Sequence, residues 1–358
     1  WIQARNLITE LNRQIVRGRK KPRMTKKEIH MINNAYSSIF ALNALTQGKI
    51  IHVKPYSGRD SRDGKTADTA VKTLTKALSK ATANKNDIVL MYAESNSASG
   101  TTDYQTTTLN WNKDMVHLIG VNAGQRFSHR SRIALVSTYD TASNLMTVSA
   151  DGCLLSGLEL FAGVAGTTPT GCLLVTGTRN HFQNCHIAGI GNDANDITSA
   201  YSLYLQGNAT ENYFENCVIG CDTISRGSAA SIYEIYMNTD TGVVSGAKPA
   251  RNVFKGCYII GLAGSTTQYF FLKIAAGGAD RFVLFDNCVF FNPGASVGGG
   301  AAMTYAFEVA TNANGKVVLH NTSITGAADV ANDPGNIVAN LGIPTATDSG
   351  LTVVNIKG

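Results

Sequence analysis

A short phrase recurs six times between Cys153 and Gly326, and its spacing restricts the fold more than any other feature of the chain. The clearest copies are Asn180-His-Phe182-Gln-Asn184-Cys185-His-Ile187, Asn212-Tyr-Phe214-Glu-Asn216-Cys217-Val-Ile219 and Asn252-Val-Phe254-Lys-Gly256-Cys257-Tyr-Ile259. Cys153-Leu-Leu155-Ser-Gly157-Leu158-Glu-Leu160 opens the series, and Leu284-Phe285-Asp286-Asn287-Cys288-Val-Phe290 and Leu319-His-Asn321-Thr322-Ser-Ile324 continue it. With Leu158, Cys185, Cys217, Cys257, Cys288 and Thr322 as equivalents, the steps are 27, 32, 40, 31 and 34 residues. A constant core with variable spacers is the mark of stacked structural repeats, whose insertions are confined to loops.

Within each phrase apolar and polar residues alternate, which is a strand signal. The alternation breaks at Asn184, Asn216, Gly256, Asn287 and Asn321. Asn and Gly tolerate left-handed backbone angles at low cost, so this position reads as a sharp bend between two short strands. Strand, bend, strand and loop at about one turn per 30 residues predict an all-β, right-handed, single-stranded parallel β-helix. A sandwich would need hairpin turns every 8–12 residues, and a leucine-rich repeat a tighter leucine ladder. Neither pattern is present. Successive turns would then stack Phe182, Phe214, Phe254 and Phe285 inside, about 4.8 Å apart.

The cysteines at 185, 217, 257 and 288 fall in the same register. They read as small apolar residues filling a corner, because the chain has no C-x-x-C, no histidine at ligand spacing and an odd total of seven cysteines. No metal and no cofactor are expected. No apolar run is long enough to span a membrane, so no membrane partner is expected, and reduced thiols made in a bacterial cytoplasm are the default. Charged residues at only 16% and 35 glycines suit a turn-rich β protein.

The N-terminal section is different. Residues 1–48 read as a basic helical arm, with apolar stripes through Leu7, Ile8, Leu11 and Ile15, and through Ile29, Ile32, Tyr36 and Phe40. Residues 1–30 carry nine Lys or Arg against two Asp or Glu, a net of +7, while the whole chain nets +6. The excess charge therefore sits in the arm, and Arg17, Arg19, Lys20, Lys21, Arg23, Lys26 and Lys27 are its candidate partner-binding residues. Residues 49–85 read as an entry strand and a capping helix striped by Val71, Leu74, Leu78 and Ala81. Residues 86–335 read as the parallel β-helix and 336–358 as a C-terminal closure.

The passages Gly58-Arg-Asp60-Ser-Arg-Asp63-Gly64-Lys, His117-Leu-Ile-Gly-Val and Glu211-Asn-Tyr-Phe-Glu-Asn-Cys-Val-Ile-Gly-Cys-Asp-Thr223 resemble those of tailed-bacteriophage virion proteins. These are tailspike-like β-helix proteins that act as trimeric cement or decoration proteins on the outside of the head. The resemblance covers roughly residues 49–358. It implies a structural, non-enzymatic homotrimer docked on the major capsid protein shell, at the outer surface of the capsid, with no catalytic residues.

The rival expectation is a phage tailspike or tail fibre that binds or cleaves host surface polysaccharide. Such enzymes place carboxylates together on one outer face. The outward ladder Gln183, Glu215, Lys255, Asp286 does not stack acids, and Glu159, Asp222, Glu234 and Asp286 read as solvated surface. Asp193-Ala-Asn195-Asp196 lacks the glycine and distal glutamate of a calcium loop. His30, His52, His129 and His320 stand singly. The arm lacks aromatics interleaved for stacking bases, so nucleic acid is not the expected partner.

Overall fold

The computed structural model describes residues 48–340 except 96–101, 124–125, 137–143, 166–170, 228–231, 240–245, 265–268 and 295–299. The basic arm, including Arg17, Arg19, Lys20, Lys21, Arg23, Lys26 and Lys27, lies outside the described residues.

The chain winds through three parallel sheets. Sheet 1 has ten strands: β1 (Ile50–Val53), β2 (Ile88–Tyr92), β5 (His117–Val121), β8 (Leu154–Ser156), β11 (His181–Gln183), β14 (Tyr213–Glu215), β17 (Ala250–Lys255), β20 (Asp280–Asp286), β23 (Lys316–His320) and β26 (Ile337–Asn340). Sheet 2 takes the next strand of each coil: β3 (Thr102–Gln105), β6 (Arg132–Leu135), β9 (Glu159–Ala162), β12 (His186–Ile190), β15 (Val218–Arg226), β18 (Tyr258–Ala263), β21 (Val289–Phe291) and β24 (Ser323–Thr325). Sheet 3 closes each coil with β4 (Leu109–Trp111), β7 (Asn144–Val148), β10 (Gly171–Val175), β13 (Tyr201–Gln206), β16 (Ile232–Asn238), β19 (Tyr269–Ile274), β22 (Met303–Val309) and β25 (Ala327–Ala331). This is a parallel β-helix. The repeated phrase is the corner between sheets 1 and 2. The third strand of each coil lies in what the sequence reading left as variable spacer.

The corner is built from three ladders. Phe182, Phe214, Phe254 and Phe285 are paired rung to rung and fully buried, with ring centroids 4.6, 4.6 and 4.8 Å apart and planes within 16°. After each comes a left-handed residue: Asn184, Asn216, Gly256, Asn287 and Asn321 have φ between 46° and 61°. The cysteine that follows donates its thiol to the phenylalanine carbonyl one coil back, Cys217 to Phe182 at 3.3 Å, Cys257 to Phe214 at 3.4 Å and Cys288 to Phe254 at 3.3 Å. Thr322 does the same with its hydroxyl, to Phe285 at 3.0 Å. A small residue with one weak donor is therefore what the corner requires, which is why Thr can replace Cys. All seven cysteines are free and buried.

Before Phe182, Phe214 and Phe254 a buried asparagine ties one coil to the next, and Val283 takes the place before Phe285. The amides of Cys153, Asn180 and Asn212 donate to the side-chain oxygens of Asn180, Asn212 and Asn252 at 2.9–3.0 Å. Their side-chain amides donate back to Ala150, Gly177 and Ala209 carbonyls. These bonds satisfy main-chain groups that the turn would otherwise bury unpaired.

Helix α1 (Leu74–Lys80) precedes the coils, with Leu74, Ala77 and Leu78 buried. Thr73 caps it, and the Asp60 carboxylate accepts from the Lys72 and Thr73 amides. Asp103 of β3 accepts from the Leu74 amide at 2.9 Å and from Gln105 Nε2 at 2.8 Å. Burial nevertheless pushes its carboxyl up to about 6, above the usual 3.8. A folded-state pKa raised in an acid means that the native state binds the proton more readily, so this group lowers stability as pH rises from about 4 to about 6. Asp103→Asn keeps an acceptor for Leu74 and removes the titration. Relative to wild type, its unfolding free energy from urea denaturation should rise across that window, by up to about 2–3 kcal/mol. The difference is the quantity to measure, because buried His129, pushed down to about 4, gives the wild-type curve an opposite slope over the same range.

Candidate functional site

Alternation along sheet 1 places the phenylalanines inside and their neighbours outside. The outward column reads Ser156, Gln183, Glu215, Lys255, Asp286 and His320, one residue per coil in continuous parallel register. A second column beside it reads His181, Tyr213, Val253, Leu284 and Val318.

The first column is cross-linked. Glu215 accepts from Gln183 Nε2 at 3.1 Å, and His181 Nε2 lies 3.3 Å from the same carboxylate oxygen. The His181 ring leans on Tyr213 at 4.9 Å between centroids. Burial holds the His181 pKa below its ordinary value, although Glu215 pulls it upward. Two coils further on, Asp286 Oδ1 lies 2.6 Å from His320 Nδ1 and accepts from Asn287 Nδ2 at 2.9 Å. Lys255 stands between the two carboxylates, exposed.

This arrangement has definite chemical capacity. An aspartate that accepts from Nδ1–H fixes the neutral histidine tautomer and leaves Nε2 as the proton acceptor, the orientation a general base needs. Glu215 and Asp286 are two rungs apart, about 10 Å along the axis. That is wider than the about 5–5.5 Å of a retaining glycosidase pair and close to the upper end of the about 6.5–9.5 Å of an inverting pair. A lysine between them supplies a cation to a polar chain lying along the column.

One edge of this face is bounded by Arg126, which donates to Asn216 Oδ1 at 3.2 Å and to the Gly256 carbonyl at 3.1 Å, immediately after Glu215 and Lys255. The other edge carries the ion-paired row Arg179, Glu211 and Arg251, with Glu211 contacting Arg179 at 2.8 Å and Arg251 at 2.7 Å.

The acidic residues considered from sequence do not converge. Glu159 is buried beside Arg132 at 3.7 Å, Glu234 is fully buried in the interior, Asp222 is exposed on sheet 2, and Asp286 alone joins the outer face of sheet 1. Asp193–Asn195 is a 3-10 turn capped by Asn192, and the Asp196 carboxylate accepts from the Gly227 amide. His320 does not stand singly, since it pairs with Asp286. In the sequence His320 stands two residues before Thr322, the spacing that sets Gln183, Glu215, Lys255 and Asp286 before their cysteines. Among the described residues no group of three or more His, Cys, Asp or Glu could hold a metal ion, and no helix is long and apolar enough to cross a membrane.

No protein-family model matches the chain, and no curated protein matches it. Among solved structures, the pectate lyase Pel9A is similar with a TM-score of 0.53 and 15% identity, over 87% of this chain and 75% of that one. A rhamnogalacturonan lyase is similar with a TM-score of 0.51 and 16% identity, over 77% of this chain and 68% of that one. The ORF18 protein of Geobacillus virus E2 aligns over 90% of this chain with a TM-score of only 0.39 and 10% identity, which carries no argument. At these identities the likeness shows the fold, which is shared with proteins that act on polysaccharides. The expectation of a non-enzymatic chain is corrected accordingly. Its similar solved structures include enzymes, and Asp286, read from sequence as solvated surface, is paired with His320, because a coil of parallel rungs brings residues 34 positions apart into contact.

Proposed function

We propose that the outer face of sheet 1 binds a polysaccharide chain along the axis and performs acid–base chemistry on it. The observation that carries this reading is the Asp286–His320 pair, on one continuous column with Lys255 and Glu215. His320 is the candidate base, Asp286 its positioning residue and Lys255 the cation facing the bound chain, while Glu215, three rungs from His320 or about 14 Å along the axis, contacts a neighbouring sugar rather than the bond His320 acts on. Incubation with pectate, rhamnogalacturonan and bacterial capsular polysaccharides, followed by reducing-end and unsaturated-sugar assays, tests it. His320→Asn should lower product release by about 10²–10⁴-fold with little change in saccharide affinity. Lys255→Met should weaken affinity. Absence of both binding and product release across such a panel, or release indifferent to His320→Asn, would exclude the reading.

A second reading concerns where such a protein works. The resemblance of its phrases to tailed-phage virion proteins, and the net +7 of residues 1–30, favour a homotrimer anchored by its basic arm on the outer surface of a phage capsid, with the major capsid protein as partner. Three arms on one particle act at high effective concentration, so weak contacts sum. Charge reversal at Arg19, Lys20, Lys21 and Arg23 in the full chain should weaken binding to heads and flatten its salt dependence. Unchanged binding by that variant would remove the arm from the role.

A further inference from the structure

Sheet 2 has an outward column that is buried. Glu159, His186 and Val218 follow one another in register, alternate with the inward Leu160, Ile187 and Ile219, and yet expose 6% or less. His186 is covered by residues 126–131, which belong to the coil of β5 and β6 but run along the axis to contact Asn216, Gly256 and Tyr258 of later coils. Ser128 donates its amide to His186 Nδ1 at 3.0 Å. Phe127 packs edge-on against His186 and Tyr258, at 5.9 and 6.2 Å between centroids. Arg126 lies over the Tyr258 ring at 4.4 Å and is held by Asn216 and Gly256.

We infer that residues 126–131 form a strap that neutral His186 holds down and that protonation of His186 releases. The hydrogen bonds fix the tautomer. Because Nδ1 accepts from the Ser128 amide, the ring proton is on Nε2, which donates to the Gly220 carbonyl at 3.1 Å. A proton taken from solvent can add only at Nδ1. It sets N–H against N–H and abolishes the bond to Ser128. The charges around the ring come from every neighbouring element: Arg132 of β6, Glu159 of β9, Asp222 of β15, the Tyr258 phenol of β18, and Arg126, His129 and Arg130 of the strap and its flank. Burial is the largest influence and, with Arg132, opposes the imidazolium, while the Gly220 carbonyl and Asp222 favour it; the balance holds the His186 pKa below the ordinary 6.5 and the strap closed at neutral pH. Acid therefore opens it, and His129, 1% exposed and also held neutral by burial, pushes the same way once protonated. Opening uncovers His186 and the Tyr258 ring, next to the corner that Arg126 seals. The inference does not depend on saccharide binding by sheet 1.

The test is amide hydrogen exchange on the intact chain between pH 7 and 4, corrected for the intrinsic pH dependence of exchange. The Ser128 amide should lose at least tenfold in protection between pH 7 and pH 4, while the Ile187 and Ile219 amides in the sheet keep theirs. His186→Asn leaves an acceptor near the Nδ1 position and cannot titrate, so its Ser128 protection should be independent of pH between 7 and 5, where His129 stays neutral. Nitrogen-15 shifts of His186 in the unsubstituted chain supply a second reading: the Nδ1 protonation midpoint should coincide with the loss of Ser128 protection. Ser128 protection that persists to pH 4, a pH dependence between 7 and 5 retained in His186→Asn, or a His186 midpoint separated from the exchange transition would each overturn the inference.

Discussion

Replacing Phe214 with alanine is expected to lower stability by about 3–5 kcal/mol, the upper range for deleting a buried aromatic ring. Phe214 sits between Phe182 and Phe254, stacked on both within 8° and 4.6 Å between centroids, and is fully buried. In a coil each repeat touches only its neighbours, so the rungs above and below cannot slide into the gap without breaking their own backbone pairing. The cavity therefore persists. Phe214→Leu, which refills most of the volume, should cost markedly less. Urea denaturation monitored by far-ultraviolet circular dichroism gives both numbers, and a loss below about 1 kcal/mol for alanine would mean that the ladder relaxes around the missing ring.

The same ladder explains what was legible in the sequence. Phenylalanine, left-handed Asn or Gly, and cysteine each answer a local requirement of one corner, and the corner recurs at nearly constant length, so alignment of the phrases was enough to find it. Sheet 3 answers no such local rule. Tyr201–Gln206, Ile232–Asn238, Tyr269–Ile274 and Met303–Val309 are strongly β-forming, but they follow loops of unequal length and drift out of register with the phrase. The outer column Gln183, Glu215, Lys255, Asp286 was correctly placed, since it is fixed by its spacing from the cysteine. Its chemistry was not, because the pairing of Asp286 with His320 depends on the rise from one coil to the next. The strap left no sequence signature at all. Its contacts join Arg126 to Gly256, 130 positions away, and nothing near Arg126 alternates or repeats.

Arg226→Met is expected to cost about 3–5 kcal/mol on its own, while Arg226→Met combined with Glu234→Met should recover most of that loss. Both side chains are fully buried at the junction of sheets 2 and 3, with Arg226 Nη1 3.4 Å from Glu234 Oε1. Arg226 also donates to the Cys221 carbonyl, and Glu234 accepts from Ser202 Oγ and, at 2.8 Å, from the Tyr269 hydroxyl. The pocket is shaped to this carboxylate. A Cβ on Gly220 would lie 2.6 Å from it and one on Gly261 2.9 Å, so the two glycines make the room it occupies. Burial pushes the Glu234 carboxyl upward, and the guanidinium is the strongest influence holding it down. Removing Arg226 leaves a desolvated acid whose native state takes up a proton well above the ordinary carboxylate range. By linkage, an acid with a raised native pKa loses stability as pH rises, so the deficit of Arg226→Met should be larger at pH 8 than at pH 5. The double substitution should show no such dependence. Chemical denaturation of the four members of the cycle at both pH values separates the pair's coupling from simple loss of packing. A deficit for Arg226→Met equal at the two pH values would show that Glu234 does not depend on Arg226 for its charge.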